Sequence, residues 1–502
     1  KGCGEKTARK IVETLGESAI DLIKENKNNL FLVPEMTEKK ADSIYVSILN
    51  HSSNDDLIIE LKSLGFSIGD ATKIIKKYKD KTSVYLHENL YHFKKIIDFN
   101  KLDYIYIQNF DSESDVRKKE CILETMKRTS DTNGDVYYFE EEIYSNLKTY
   151  FKIILEQEEF KFLLEELFKE GFIVIEQERY YLKENYIMEH DIAKHLSKII
   201  NLPKRELKDF EDSINAFETC IGVSYNLEQK NAIKNALENR ISIISGGPGT
   251  GKTTIINAIT RLYIEMNSLS PIDVVTNIAL LAPTGRASKK LAETTHIPAM
   301  TIHRYLKWNK DTNDFAINEY NKNNHTLIIV DETSMLDTFL FDSLLKGIGS
   351  NIQLILVGDT FQLPSVGAGL ILNDLVDSCL FSYNPLERIY RQSENSYIAD
   401  LAREIKEHTL SDTFMEKKDD YNFLMTDSKE ITKMIKEICK RSIEKGLKTD
   451  DMQILAPMYK GENGIDNLNL ALQELFNPPK EELKELKLGD IIYREGDKVL
   501  QL

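Results

Sequence analysis

The chain has 502 residues, 41% apolar and 29% charged content and a formal net charge of −16, and this length predicts two to four domains. No apolar stretch approaches a bilayer-spanning length, so we expect a cytoplasmic protein without a membrane partner. Five widely separated cysteines without a C-x-x-C pair argue against a disulfide framework or zinc site, and the acidic balance restricts any nucleic-acid contact to a local basic surface.

The first 95 residues contain a repeated helical pattern. Residues 2–11 resemble the hairpin and second helix of a helix-hairpin-helix unit, whose glycines let the backbone approach a phosphate. An ordinary turn is the alternative for Gly2 and Gly4. Further units follow at 31–41, where the glycines are replaced, and at 61–78. We therefore predict all-α helix-hairpin-helix repeats over residues 1–95.

Residues 96–215 are helical, acidic and rich in tyrosine. Within them, residues 163–182 predict a helix, a stop at Gly171 and a two-stranded hairpin. This order is typical of a winged-helix-like module, and its negative charge favours a spacer or docking role over a second DNA site. Lys204 and Arg205 indicate a solvated linker.

A glycine-rich loop lies between a predicted strand, residues 241–244, and a helix with apolar residues at Ile255, Ile259 and Leu262. It fits G-x-x-x-x-G-K-[ST], in which backbone N–H groups bind phosphates, the lysine reaches the β- and γ-phosphates and the hydroxyl completes Mg²⁺ coordination. A glycine-rich turn with an accidental lysine is the alternative. The sequence predicts that ATP is bound by Gly246, Gly247, Pro248, Gly249, Thr250, Gly251, Lys252, Thr253 and Thr254, with Thr253 also on the metal.

Two later apolar strands end in polar residues. One is followed by Asp331 and Glu332, and the other leads to Gln362. Since parallel strands bring their carboxyl ends to one sheet edge, we expect Asp331 to hold Mg²⁺ through water, Glu332 to activate or orient the attacking water, and Gln362 to respond to the γ-phosphate. Taken alone, an Asp-Glu pair is also compatible with an ordinary solvated strand end.

Five segments occur in a fixed order: LLAPTGRASKKLAE (280–293), TIHR (301–304), VDETSMLD (330–337), VGDTFQLPSVGAG (357–369) and LERIYRQSE (386–394). Together they resemble the motif series of superfamily 1 DNA helicases, and most of all the RecD-like family, over roughly residues 225–459. The resemblance implies an α/β fold with tandem RecA-like P-loop domains, the second one incomplete. We predict the first at 216–380, with a hairpin insertion at 305–325, and the second at 381–502.

The resemblance also assigns residues. It implies that Gln229 reads the adenine, unless Gln229 is an ordinary early helix residue. It implies that Arg391 reaches the γ-phosphate when the domains close, unless it is a surface arginine paired with a neighbouring glutamate. Contacts to single-stranded DNA are implied for Pro283, Thr284, Gly285, Arg286, Thr301, His303 and Arg304. A structural role is the alternative for His303.

Two segments complete the expectations from the resemblance. Within the hairpin insertion, Trp308 and Phe315 either stack on a base or hold the hairpin together, and the second reading is slightly favoured. Residues 451–461 resemble a strand and DNA-facing loop of the second RecA-like domain. The two motifs expected next do not follow, and the chain starts without Met, so we expect a fragment at both ends.

The predicted function is that of an ATP-dependent DNA helicase that moves along single strands, 5′ to 3′ by resemblance. Its expected cofactors are ATP and Mg²⁺. Its expected partners are single-stranded DNA, single-strand/duplex junctions and DNA-repair proteins. A protein that uses ATP to change its grip on a DNA structure, without processive unwinding, is the alternative.

Overall fold

The computed structural model describes residues 5–16, 18–207, 209–310, 312, 314–387, 396–480, 483–489 and 491–499. The chain divides into two compact units, Lys1–Arg391 and Gln392–Leu502. Among the described residues, no helix is long and apolar enough to cross a membrane.

The N-terminal part of the first unit is helical, and its second helix pair is a hairpin. Helix α4 follows α3 through a turn in which Gly65 is left-handed (φ 108°), and the Ser67 hydroxyl caps α4 by accepting from the N–H of Asp70 at 3.1 Å. The proposed phosphate-binding turn at Gly2 and Gly4 lies outside the described residues. The helices are α1 Glu5–Leu15, α2 Ala19–Glu25, α3 Glu38–Ser63, α4 Ile68–Tyr78, α5 Lys81–Glu88, α6 Phe99–Asn109 and α7 Asp115–Asn133.

A three-stranded antiparallel sheet, ordered β1-β3-β2, follows these helices. Gly171, left-handed with φ 74°, ends α9 and leads into the β2–β3 hairpin, so the predicted helix, stop and hairpin are confirmed. One apolar core runs from Leu61 to Ile173, so the predicted boundary at residue 95 runs through a single core. The elements are β1 Tyr137–Tyr138, α8 Glu140–Phe151, α9 Gln157–Lys169, β2 Ile173–Glu176 and β3 Arg179–Leu182.

Helix α10, Lys183–Ile200, connects this small sheet to a larger one. Ile192, Leu196 and Ile199 are buried in the core beneath the larger sheet. The predicted module boundary at 215 therefore separates residues that pack together, because the apolar face of α10 needs the later sheet to cover it. The linker prediction also fails at Arg205, whose guanidinium lies 5.0 Å from the ring centroid of Tyr263.

The larger sheet has six parallel strands in the order β11-β4-β10-β9-β5-β6, with helices packed on both faces. Successive strand residues alternate between the two cores: Ile243 lies on one side and Ile244 on the other. This arrangement confirms the α/β P-loop prediction. Its elements are α11 Phe210–Ile221, α12 Leu227–Glu238, β4 Ile241–Gly246, α13 Lys252–Met266, α14 Pro271–Asn277, β5 Ile278–Ala282, α15 Gly285–Thr295, β6 Ala299–Thr301, α16 Ile302–Tyr305, β7 Trp308–Asn309, β8 Asp314–Phe315, β9 Leu327–Val330, α17 Thr338–Lys346, β10 Gln353–Gly358, α18 Ile371–Asp377 and β11 Ser382–Leu386.

Strand β11 extends this sheet past the predicted domain end at residue 380. It pairs in parallel with β4, with Ser382 opposite Ser242 and Leu386 opposite Gly246. The sequence did not predict this strand as part of the first sheet, because Tyr383, Asn384 and Pro385 do not form an apolar run. Its place in the sheet depends on hydrogen bonds to β4.

The second unit contains α19 Tyr397–Lys406, α20 Ile431–Glu444, α21 Ile465–Phe476 and an antiparallel hairpin of β12 Glu485–Leu488 and β13 Ile491–Arg494. The segment predicted as a strand and loop, residues 451–461, contains no strand: Met452, Ile454 and Ala456 pack on the small core formed with α20 and α21. A strand needs a hydrogen-bonded neighbour, and the described residues of this unit offer that segment none. The second RecA-like domain thus stays a prediction.

Candidate active site and nucleic-acid interface

The glycine-rich loop connects β4 to α13 at the carboxyl edge of the sheet. Gly251 is left-handed (φ 90°), and a Cβ atom there would lie 2.7 Å from Gln229 Nε2. At Gly246 a Cβ atom would lie 2.6 Å from Thr250 Oγ1. Both positions therefore require glycine, because any other residue would place a Cβ atom too close to a neighbouring side chain. Because the first N–H groups of a helix have no partner within it, the start of α13 is suited to an anion.

Lys252, the first residue of α13, lies over the loop. Its ammonium donates to the carbonyl oxygens of Gly246 at 2.6 Å and Gly247 at 3.0 Å. Burial lowers the pKa of Lys252, and the nearby carboxylates of Asp359, Glu332 and Asp331 oppose that shift. The lysine is thus a half-buried cation near the acidic residues that follow β9 and β10.

Asp331 and Glu332 follow β9 at the same edge. Asp331 is 9% exposed, and burial together with the adjacent Glu332 raises its pKa to about 6. The N–H of Glu332 donates to Asp331 Oδ1 at 3.0 Å. Glu332 itself is left-handed (φ 54°), and its buried Oε2 has no hydrogen-bond partner among the described residues. A buried carboxylate oxygen without a donor fits a cation or an ordered water molecule.

The loop after β10 brings Gln362 to these acids. The Gln362 N–H donates to the carbonyl oxygen of Asp359 at 3.1 Å, and its Oε1 accepts from the Ser334 hydroxyl at 2.9 Å. Ser334 was not among the predicted site residues. Its position two residues after Glu332, in a segment that follows a buried strand, was the available signal.

Gln229 is buried behind the loop with both ends of its amide engaged. Nε2 donates to the carbonyl oxygen of Thr250 at 3.2 Å, and Oε1 accepts from the N–H of Asn226 at 3.1 Å. These bonds tie the start of α12 to the glycine-rich loop, which agrees with the alternative of an early helix residue. Recognition of adenine by Gln229 stays a prediction.

The segments expected to contact DNA follow neighbouring strands. In the β5–β6 pair, Ala282 lies opposite Thr301, so residues 283–286 and 301–304 both leave the same sheet edge. Thr284 caps α15 by accepting from the N–H of Ala287, and Thr301 caps α16 by accepting from the N–H of Arg304, each at 3.2 Å. Both threonine hydroxyls thus serve the helix starts.

Among the seven residues with expected DNA contacts, Pro283, Thr284 and Thr301 are half-buried. The other four are exposed: Gly285, Arg286, His303 and Arg304. The His303 ring lies against the hairpin insertion, with centroid distances of 6.0 Å to Trp308 and 5.8 Å to Phe315. These contacts favour the structural alternative for His303.

The β7–β8 hairpin pairs Trp308 with Phe315. Their ring centroids are 4.6 Å apart, and Phe315 belongs to the core beneath the sheet. This packing agrees with the expectation that the two rings hold the hairpin together.

Of the remaining predicted residues, Thr253 is half-buried in the first turn of α13 beside Thr254. Arg391 lies outside the described residues, so its predicted place on the γ-phosphate stays a prediction.

Comparisons with known proteins agree with the motif series. The family model "ATP-dependent RecD2 DNA helicase HHH domain" matches residues 50–137, and the model "AAA domain" matches residues 229–368. The whole chain aligns with the ATP-dependent RecD2 DNA helicase of Deinococcus radiodurans at 26% identity, covering 68% of that protein. The chain is thus similar to RecD-like superfamily 1 helicases along its whole length.

One further curated relative and one solved structure match this chain over shorter ranges. The RecBCD enzyme subunit RecD of Mycolicibacterium smegmatis is 38% identical over 171 residues, which are 30% of this chain and 30% of that one. The match to the crystal structure of Pif1 helicase from Candida albicans covers 45% of this chain and 56% of the Pif1 chain, with 18% identity and a TM-score of 0.32.

The polar groups of the RecD-like site fit a nucleotide with Mg²⁺. The bare loop backbone and Lys252 suit phosphates, and the oxygens of Thr253 and Asp331 are the hard ligands that Mg²⁺ prefers. The orphaned Glu332 Oε2 lies in the same group, where a water molecule or a hydrated cation would supply its missing partner.

Proposed function

We propose that this chain is an ATP-dependent DNA helicase that moves along single-stranded DNA from 5′ to 3′ and unwinds duplexes at single-strand/duplex junctions. The proposal depends on one observation: the Lys252 loop, the Asp331–Glu332 pair and the capped segments at Thr284 and Thr301 share one edge of a six-stranded sheet. A phosphate-binding loop and two candidate DNA-binding helix starts are thereby positioned by the same sheet.

The residues divide the chemistry among them. Lys252 and the loop N–H groups bind the β- and γ-phosphates, while Thr253 and Asp331 hold Mg²⁺, which neutralises phosphate charge when bound. Glu332 orients a water molecule whose oxygen attacks the γ-phosphorus, and the bond from that phosphorus to the β,γ-bridging oxygen breaks. The carboxylate of Glu332 takes the proton of the water. The amide of Gln362 contacts the γ-phosphate, so the loop that follows Gln362 responds to the presence of that phosphate.

The first test of this proposal replaces the lysine. Lys252→Ala should lower DNA-stimulated ATP hydrolysis by about a hundredfold or more, because it removes a preorganised charge from the phosphates. The matched control is Lys127→Ala, an exposed lysine on α7, which should hydrolyse ATP like the wild type. A Lys252→Ala protein with normal DNA-stimulated hydrolysis would disprove the proposed role of the loop.

Tailed duplexes test movement separately from hydrolysis. Strand displacement from a duplex with a 5′ overhang, and not from one with a 3′ overhang, is expected. ATP-dependent binding to both duplexes without displacement would instead support the alternative of an ATP-switched DNA-structure-binding protein. DNA-repair partners are expected from the resemblance alone.

A further inference from the structure

A main-chain hydrogen bond joins the N-terminal region to the loop that contains Gln362. The N–H of Gly369 donates to the carbonyl oxygen of Gly134 at 2.8 Å. Gly134 lies in the segment that matches the helix-hairpin-helix family model. Gly369 ends the loop that starts at Asp359, at the carboxyl end of β10. The bond thus connects the helical N-terminal region to the candidate nucleotide site.

Gly134 is held firmly on its own side. It caps α7 in the left-handed conformation (φ 81°), with its N–H donating to the carbonyl oxygen of Ser130 at 2.8 Å. The next carbonyl, that of Asp135, accepts from the Ser130 hydroxyl at 2.8 Å and from the buried Tyr138 hydroxyl at 3.1 Å. Because Ser130 and Tyr138 are buried and their hydroxyls bind the adjacent Asp135 carbonyl, the position of the Gly134 carbonyl is well defined.

The loop end is also tightly packed. Ser365 donates to the carbonyl oxygens of Gly367 at 2.9 Å and Gly369 at 3.1 Å. The N–H of Thr338, at the start of α17, donates to the carbonyl oxygen of Ala368 at 2.8 Å. A Cβ atom at Gly369 would overlap the Thr338 hydroxyl. The loop end at Ala368 and Gly369 is therefore held by hydrogen bonds to Thr338 and Ser365, and Gly134 adds an anchor from outside the parallel-sheet domain.

We propose that Gly134 is a positioning residue for ATP hydrolysis, acting through residues 359–369 on Gln362. The proposal rests on the proposed function. Gln362, near the start of this loop, accepts a hydrogen bond from Ser334. Ser334 lies close in sequence to Asp331 and Glu332. A shift of the loop end would therefore displace the Gln362 amide at the site of phosphoryl transfer. The same bond lets a rearrangement of the helix-hairpin-helix region change the rate of hydrolysis while ATP affinity stays the same.

The test displaces the Gly134 carbonyl in the full chain. Gly134→Val places a β-branched residue at a left-handed position, which such residues rarely adopt, whereas Gly134→Asn is the conservative variant because asparagine tolerates that conformation. The matched control is Gly171→Val, at another left-handed glycine of the N-terminal region (φ 74°), where the added Cβ atom meets only the flexible end of Lys183.

Gly134→Val should lower kcat for DNA-stimulated ATP hydrolysis about tenfold and leave KM for ATP within about twofold, since the loop positions the Gln362 amide at the site of hydrolysis. Gly134→Asn and Gly171→Val should keep the wild-type kcat. Ser130→Ala, which weakens the support of the Asp135 carbonyl without backbone strain, should lower kcat about twofold if Gly134→Val does not fold. Equal losses in Gly134→Val and Gly171→Val, or unchanged kcat in both Gly134→Val and Ser130→Ala, would overturn the proposal.

Hydrogen exchange separates this proposal from the proposed function, because it needs no hydrolysis. In protein without nucleotide, Gly134→Val should speed amide exchange in residues 365–369, while Gly171→Val should not. Unchanged exchange there would refute the anchor even if the wild type hydrolyses ATP. Faster exchange together with a wild type that hydrolyses no ATP would support the anchor and reject the proposed function, and with it the positioning role.

Discussion

At the carboxyl end of β9, Asp331 lies in surroundings that disfavour its charge. Burial and the neighbouring Glu332 raise its pKa to about 6, from 3.8 for an exposed aspartate. The folded chain therefore holds this proton more tightly than the unfolded chain does. Between pH 4 and 6 the unfolded state ionises first, so the free energy of unfolding falls as the pH rises through this window and stays low above it.

Asp331→Asn should accordingly stabilise the protein in buffer without nucleotide or divalent metal. At pH 7.5 we expect a gain of about 2–3 kcal/mol, because two units of pKa shift correspond to roughly that energy. The gain should shrink as the pH falls from 6 towards 3, because below pH 4 the wild-type carboxyl becomes protonated in the unfolded state as well as in the folded one. Denaturant unfolding at a series of pH values measures it, and a gain that did not change with pH would contradict this explanation.

Individual residues of the loop were predictable from the sequence because their chemistry is local. The spacing of Gly246, Gly251 and Lys252 requires only one turn between a strand and a helix, and the structure places all three there. The contacts of Gln229 and Ser334 were not predictable. Each depends on which side chains from distant segments meet at the sheet edge, and the sequence pattern contains no information on those distances.

At the scale of elements, a buried charge network joins α6 to α7. One carboxylate, that of Asp103, accepts from Arg117 Nε at 2.8 Å, from Arg117 Nη2 at 3.0 Å and from the Tyr91 hydroxyl at 2.6 Å. All three residues are buried. Since desolvation makes an unpaired ion much less stable than a paired one, the network depends on all its members being present.

Arg117→Ala should therefore destabilise the α6–α7 pair by about 3–5 kcal/mol, because it leaves Asp103 buried without its cation. Hydrogen exchange of the amides in α6 and α7 measures the loss region by region. Lys127→Ala, an exposed lysine on the same helix, should have little effect. Replacing both charges, in the double variant Asp103→Leu with Arg117→Met, should restore much of the stability. A double variant as unstable as Arg117→Ala would refute the desolvation argument.

The elements that the sequence predicted best are those whose signal lies within a single segment. Helix α9, the left-handed Gly171 and the β2–β3 hairpin follow from apolar spacing and one glycine. Strand β11 was not assigned to the first sheet because its membership depends on pairing with β4. The segment 451–457 shows the reverse case, in which an apolar pattern typical of a strand packs on helices instead.

For the whole molecule, α10 decides where the parallel-sheet domain begins. Its residues Ile192, Leu196 and Ile199 are buried beneath the large sheet. Asp191 on the same helix pairs with Lys346 of α17 at 2.7 Å. Burying three large aliphatic side chains contributes on the order of 5 kcal/mol, which is comparable to the net stability of a domain. The sequence places this helix with the preceding module because apolar spacing shows a buried face without showing what covers it.

Two shortened chains test this boundary. A chain that starts at Lys183 keeps α10 and should unfold cooperatively, whereas a chain that starts at Pro203 loses the helix, exposes the core beneath the sheet and should aggregate or melt at a much lower temperature. Circular dichroism melts and size-exclusion chromatography distinguish the two results. Equal stability of both chains would place the boundary after α10, as the sequence predicted. The chain from Lys183 also lacks Gly134, so it should bind ATP normally and hydrolyse it slowly, which separates the folding role of α10 from the positioning role of Gly134.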